Sequence, residues 1–171
     1  QAKFSYKFEP VDFSVFLIEL VGKHQEKAGQ REIHIESNIQ TNGKIISVDK
    51  ERMDIAISNI LDNAIDYSPL GSKVNLVAQV TPTGVNIAIS DKGIGIADTE
   101  QARLFTKFYR AENAKRTRTT GTGLGLYLAK HIIEAHGGSI SYASKEGEGT
   151  TFTINLTDSP KVDQGKPQRA F

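Results

Sequence analysis

Asn59 and Asn63 lie four residues apart in the run Asn59-Ile-Leu-Asp-Asn63, and on a helix that spacing puts both carboxamides on one face, one turn apart. A carboxamide oxygen is a hard, neutral ligand, suited to a Mg2+ ion that already carries phosphate oxygens and water. Taken alone, however, such a pair reads as ordinary polar surface. Asp91 closes the apolar run Val85 to Ser90 and directly precedes Gly93 and Gly95. A carboxylate there can accept a hydrogen bond from an exocyclic amine, while the glycines let a flat ring approach the backbone; a plain turn after a strand uses the same residues. Gly121-Thr-Gly-Leu-Gly125 opens an apolar stretch. Bare amides at the positive end of a helix dipole make a phosphate cradle. A dinucleotide fingerprint needs glycine at position 126 and a strand just before; Leu126 and a basic loop stand there instead. That loop carries Lys107, Arg110, Lys115, Arg116 and Arg118 against Glu112, and a basic loop behind a glycine-rich helix start points to an anion site.

These residues need elements to hold them. Phe4 to Phe8 alternates aromatic and polar residues and predicts a strand, which Pro10 interrupts. Asp12 or Ser14 can cap a helix bearing Val15, Phe16, Ile18, Leu20 and Val21 and ending near Gly29. Glu32 to Glu36 and Ile45 to Val48 read as short strands, and Asp49 opens a second helix that runs to the Pro69–Gly71 stop and carries both asparagines. Val74 to Val80 and Val85 to Ser90 form a hairpin, and Thr99 to Phe105 reads as a short helix. Leu126 to Ala135 is a long apolar helix ended by Gly137-Gly138, and Ser139 to Ser144 with Thr151 to Leu156 makes a closing hairpin. The expected fold is α+β, a two-layer sandwich with three helices on one face of a mixed, largely antiparallel sheet. Residues 1–157 form the domain, and 158–171, with Pro160, Gly165, Pro167 and few aliphatics, read as a disordered tail.

Composition narrows the function. The chain has 171 residues, 38% hydrophobic and 24% charged, which suits one globular domain. A net charge of +1 excludes the strongly basic footprint of a general nucleic-acid binder, so no nucleic-acid partner is expected. Cysteine is absent, which removes disulfides, Cys-zinc sites and thiol nucleophiles. The four histidines form no HxxxH or HExxH pair, and neither a P-loop nor a G-x-S-x-G elbow occurs. Phe13 to Val21, the longest apolar stretch, is broken by Glu19 and too short to span a bilayer, so the piece reads as cytoplasmic in type. Starting at Gln1, it also reads as excised from something longer, whose parent could be membrane-anchored.

Five motifs together carry a resemblance. Asn59-Ile-Leu-Asp-Asn-Ala-Ile-Asp-Tyr-Ser68 resembles the N box of sensor histidine kinases, and Asp91-Lys-Gly-Ile-Gly-Ile96 their first glycine box. Leu104-Phe-Thr-Lys-Phe-Tyr-Arg110 is similar to the F box, Gly121-Thr-Gly-Leu-Gly-Leu126 to the second glycine box, and Gly147-Glu-Gly-Thr-Thr-Phe152 to the closing glycine-threonine element. They occur in the family's order, and the resemblance covers Phe4 to about Leu156. The resemblance implies the catalytic and ATP-binding domain of a two-component histidine kinase, with the Bergerat fold of the GHKL superfamily and with ATP and Mg2+ as cofactors. It implies that Asn59 and Asn63 are the catalytic pair at the metal and phosphates, with Asn63 the direct Mg2+ ligand. Tyr67 would flank the base, Asp91 hold the adenine amine, and Thr150 support that contact through water. Gly93, Gly95, Ile96, Lys107, Tyr109, Arg110, Gly121, Thr122, Gly123, Leu124, Gly125 and Leu126 would complete the nucleotide site, with Lys107 to Thr120 as a mobile lid. The implied partners are a histidine-bearing dimerisation domain of the parent kinase and a response regulator.

Two positions depart from the family pattern. Asp66 stands where the family commonly has lysine; three residues after Asn63, it either faces the phosphates or is paired on the helix surface. His24 is followed by Gln25 rather than an acidic residue, so it reads as an exposed helix histidine and not as a phosphoacceptor. Two other functions share this superfamily: an ATP-operated clamp, which uses a glutamate at the first N-box position where Asn59 stands here, and a silent regulatory ATP-binding module.

Overall fold

The computed structural model describes residues 5–158. The expected strand at the N-terminus is displaced. Residues 5–8 are not in a strand, and β1 is Glu9–Asp12, containing the proline expected to end it. Pro10 is tolerated because β1 pairs only with β3 (Ile45–Val48), in a separate antiparallel ribbon, so its missing N–H leaves no central ladder broken. Tyr6 and Phe8 instead pack their rings on His136, with centroids 5.1 and 4.9 Å away.

Helix α1 (Phe13–Gln30) starts where Asp12 accepts the N–H groups of Ser14 and Val15, and its buried stripe runs Phe13, Phe16, Leu17, Leu20, Val21, His24 and Ala28. His24 is therefore buried, contrary to the exposed position expected for it. Its Nδ1 donates to the Leu20 carbonyl at 2.8 Å, and its Nε2 lies 3.6 Å from Asp62. Strand β2 (His34–Gln40) begins later than its alternation suggested, because Glu32 takes a left-handed turn conformation (φ 56°). Helix α2 (Lys50–Tyr67) is capped by Asp49, which accepts the Arg52 N–H, and it buries Met53, Ala56, Ile57, Ile60, Leu61, Ala64 and Ile65.

Strands β4 (Lys73–Thr81), β5 (Gly84–Asp91), β6 (Ser139–Lys145) and β7 (Gly149–Thr157) complete a five-stranded sheet in the order β2-β4-β5-β7-β6, antiparallel except where β2 meets β4. Its register stacks Val85 on Leu156, Ile87 on Ile154 and Ile89 on Phe152, and puts all six in the core. The opposite face carries Asn86 bonded to Asn155 and Ser90 to Thr151. Slipping the register by one residue would exchange these faces, so burial fixes it. Helices α1, α2 and α5 (Gly125–Ala135) cover the apolar side, as expected for a two-layer sandwich.

The parallel pairing of β2 and β4 requires a crossover, and α2 supplies it. Soon after Tyr67 ends that helix, Val74 pairs with Asp91, so the asparagine-bearing helix and the end of β5 are brought together by sheet register. Arg31, just past α1, holds the turn by donating to the carbonyls of Ile65 (3.1 Å) and Ser68 (3.0 Å). Two local expectations are amended. Thr99 to Phe105 holds only the short helix α3 (Asp98–Gln101) followed by turns, and the basic segment contains its own helix, α4 (Glu112–Thr117). Asp158, counted with the tail, is tied to the fold by its N–H to the Thr83 carbonyl (2.8 Å) and an ion pair with Lys44 (2.7 Å). The rest of the expected tail lies outside the described residues.

Candidate nucleotide site

A cavity of about 340 Å3 opens between α2, the end of β5, the start of α5 and the segment carrying α4. Asn59, Asn63, Tyr67, Asp91, Gly95, Ile96, Tyr109, Arg110, Gly121, Thr122, Gly123, Gly125, Leu126 and Thr150 all line it. Three of the expected residues do not. Gly93 packs against the Tyr67 backbone outside the lining, Leu124 precedes α5 without lining the space, and Lys107 borders a second depression with its ammonium 5.1 Å over the Tyr127 ring.

Asp91 is held by its neighbours' backbone. Its Oδ1 accepts the N–H of Gly93 at 2.8 Å and of Thr150 at 3.3 Å. Thr150 thus supports Asp91 directly, and its hydroxyl bonds to Ser144 at 2.8 Å. Burial pushes the Asp91 carboxyl up to about 6, against the downward pull of those two N–H groups. The carboxyl is still mostly ionised at neutral pH and faces apolar walls from Ile94, Ile96, Leu104, Ala111 and Phe152. A slot of apolar walls with one carboxylate at its base suits a flat heterocycle that offers an amine.

The glycines after Asp91 also answer a packing demand. A Cβ on Gly95 would stand 1.9 Å from the Lys145 carbonyl oxygen, and one on Gly93 would stand 2.5 Å from that of Tyr67. Gly95 also has φ 62°, a left-handed conformation. Close packing of backbone on backbone demands glycine at both positions, and Gly95 lines the cavity as well.

The polar wall belongs to α2 and α5. Asn59 and Asn63 are half-buried on α2, and a Cβ on Gly125 would lie 3.5 Å from the Asn59 carboxamide, so the first turn of α5 abuts the asparagine face. Helix α5 has no side-chain cap at its N-terminus, which leaves its first amides for an anion. Thr122 accepts the Leu124 N–H at 3.3 Å within the same glycine-rich approach.

Arg110 organises the segment over the cavity. Its guanidinium donates to the carbonyls of Ala114 (3.3 Å), Thr119 (3.4 Å) and Arg118 and to the Tyr67 hydroxyl (3.4 Å). Tyr109 donates to Glu100 at 2.7 Å beneath Arg103, whose guanidinium stands 4.5 Å from the ring centre. Asn113, unmarked by any motif, anchors α4 by donating to the Gly95 carbonyl at 2.9 Å. Among the described residues, Asn113 Oδ1 and Arg110 Nε are buried side-chain atoms with no partner, and both residues line the cavity. Arg118, from the basic loop, lines it as well, and Lys27 and Asp62 do so without having been expected. Lys27 comes from α1, far away in sequence, and no local pattern could place it here.

A sandwich with helices on one face, and with a cleft between an asparagine-bearing helix and a carboxylate-ended strand, has the architecture of the GHKL ATPase class, to which the family match below assigns it. Comparison with known proteins agrees. The family of histidine kinase-, DNA gyrase B- and HSP90-like ATPases matches residues 48–160. The sensor-like histidine kinase SenX3 of Mycolicibacterium smegmatis is 35% identical over 94% of this chain and 42% of its own length. The sensor histidine kinase WalK of Bacillus subtilis is 36% identical over 74% of this chain and 21% of its own. The chain therefore spans less than half of these relatives. A solved structure of the mycobacterial sensor histidine kinase MprB superposes with TM-score 0.76 at 26% identity, covering 90% of this chain and 99% of that one. The catalytic domain of histidine kinase ThkA matches the fold with TM-score 0.78 over 91% and 99%. This chain belongs to the histidine kinase-, gyrase B- and HSP90-like ATPase family, and the relatives it resembles are sensor histidine kinases. Among the described residues no helix is long and apolar enough to cross a membrane.

Proposed function

We propose that this chain binds Mg-ATP and transfers its γ-phosphoryl group to a histidine on a separate dimerisation domain of the parent kinase, from which a response regulator receives it. The observation that carries the reading is the wall itself. Asn59 and Asn63 line one cavity together with the uncapped first turn of α5, which abuts Asn59, and with Asp91, whose Oδ1 takes both backbone N–H groups.

In this reading adenine enters the apolar slot and its amine donates to Asp91, whose Oδ2 accepts no backbone N–H among the described residues. The phosphates lie along the amides that begin α5. Asn63 with Asn59 presents hard oxygens of the kind Mg2+ takes alongside phosphate oxygens, and the bound ion would supply charge neutralisation of the polyphosphate. The partner's imidazole nitrogen then forms the P–N bond as the bond to the bridging oxygen breaks and ADP leaves. Positioning and electrostatics suffice for such a transfer, in which the nucleophile comes from the separate domain. Hydrolysis by an ATP-operated clamp would need a general base for water at position 59, and a carboxamide cannot accept that proton.

The test is phosphorylation in trans. Mixed with ATP, Mg2+ and the parent's histidine-bearing domain, the chain is expected to place acid-labile phosphate on that domain and none on itself. Acid-labile phosphate on His24, which is buried against α2, would overturn the assignment.

A further inference from the structure

Asp66 does both of the things its position allowed. It lines the cavity, and it is paired: its Oδ1 lies 3.0 Å from Lys27 of α1, and its Oδ2 holds Arg118 just beyond α4. Its side chain is only 12% exposed, so these contacts are partly shielded from water and salt. Lys27 also reaches Asp62 at 2.8 Å, one turn earlier on α2. A wall that must face a polyphosphate thus carries two carboxylates, and the cations answering them come from other elements.

We propose that Asp66 is an internal counter-anion that a nucleotide's polyphosphate replaces, so that Lys27 and Arg118 pass from the carboxylate to the phosphates and Lys27 becomes a phosphate-contacting residue supplied by α1. This rests on the cavity being a nucleotide site. A triphosphate carries several negative charges against one on Asp66, and a guanidinium fork or an ammonium on a flexible stem can turn from carboxylate to phosphate without backbone change. The side chains of Lys27 and Arg118 are 37% and 44% exposed, which leaves them room to turn. The exchange links the segment over the cavity to the phosphates. With Asp66 that segment is tied to α2 through Arg118, and with a polyphosphate it is tied to the ligand.

The test is calorimetric titration of the full chain and of Asp66→Asn, Lys27→Met and Arg118→Gln with ATP, ADP and adenosine. Removing the competing anion in Asp66→Asn is expected to tighten ATP about three- to tenfold. Lys27→Met and Arg118→Gln are expected to weaken it by about the same factor, and adenosine should change by less than about twofold in every variant. Trypsin should cut after Arg116 and Arg118 faster in Asp66→Asn than in the parent chain, and ATP should restore protection. An Asp66→Asn chain that binds ATP no more tightly than the parent, or a Lys27→Met chain with unchanged ATP affinity, overturns the exchange. Should Asp66→Asn fail to fold, the two more exposed cations still decide the matter. If the unmodified chain binds no nucleotide, the site reading falls as well; if it binds and Asp66→Asn does not differ, only the exchange falls.

Discussion

His136 and Asp91 are both titratable groups turned inward, and they are finished differently. At His136 both ring nitrogens are used: Nδ1 donates to the Ile132 carbonyl at 2.7 Å, and Nε2 accepts the Asp49 N–H at 3.0 Å. The ring is thereby fixed as neutral, Tyr6 and Phe8 close over it, and burial lowers its pKa. It joins the end of α5, the cap of α2 and the N-terminal segment. At Asp91 both backbone donors converge on one oxygen, and burial raises the pKa to about 6. A closed set of hydrogen bonds makes a joint, whereas an incomplete one in an apolar slot stores unfavourable desolvation that a ligand can relieve.

The hardest break of this comparison is Asp91→Asn. Its amide would direct N–H groups at the adenine amine, and ATP affinity is expected to fall by about 100-fold or more in calorimetry. The same substitution should raise stability at pH 7 by about 1–2 kcal/mol in urea unfolding, because it removes a buried charge. Equal affinity for ATP and GTP in the unmodified chain would defeat the assignment of Asp91.

His136→Ala should do the reverse. Losing a buried, fully bonded ring is expected to lower stability by about 2–4 kcal/mol, while ATP affinity in the folded protein stays within about twofold. If nucleotide binding fell as far as stability, the two sites would not be separable.

Acid should pull the two groups in opposite directions. The folded pKa of His136 lies below its ordinary value, so its contribution is present above about 6.5 and is lost as pH falls below it. That of Asp91 is raised, so its contribution is present below about 4 and is lost as pH rises through about 6. Between pH 7 and 5, Asp91→Asn should therefore lose stability more steeply than the unmodified chain. ATP affinity of the unmodified chain should weaken as Asp91 gains a proton below about pH 6. A flat affinity profile across that window would count against Asp91 as the acceptor.

The smallest effect concerns the metal. Asn63→Ala should weaken ATP about tenfold in Mg2+ and much less in EDTA. Equal losses in both buffers would remove Asn63 from the ligand set.

Much of the frame is legible in the chain by itself, because its signals act over a few residues. Asp12 and Asp49 cap helices where their side chains reach the next N–H groups. Alternation along 74–80, 85–90 and 151–156 marks the buried face of the sheet, and the four-residue spacing puts Asn59 and Asn63 on one wall. Local pattern fails where a partner comes from far along the chain. Pro10 lies in a strand because β3 accepts it as an edge, and His24 is buried because α2 packs over it. Gly95 is glycine because the β6–β7 turn presses a carbonyl against it. Lys27 and Arg118 meet at Asp66 only because the crossover carries α2 between α1 and the segment over the cavity. Periodicity and capping depend on neighbours within a turn and can be read from sequence. Charge compensation and close backbone contact depend on which elements the sheet brings together, and the tertiary structure alone decides them.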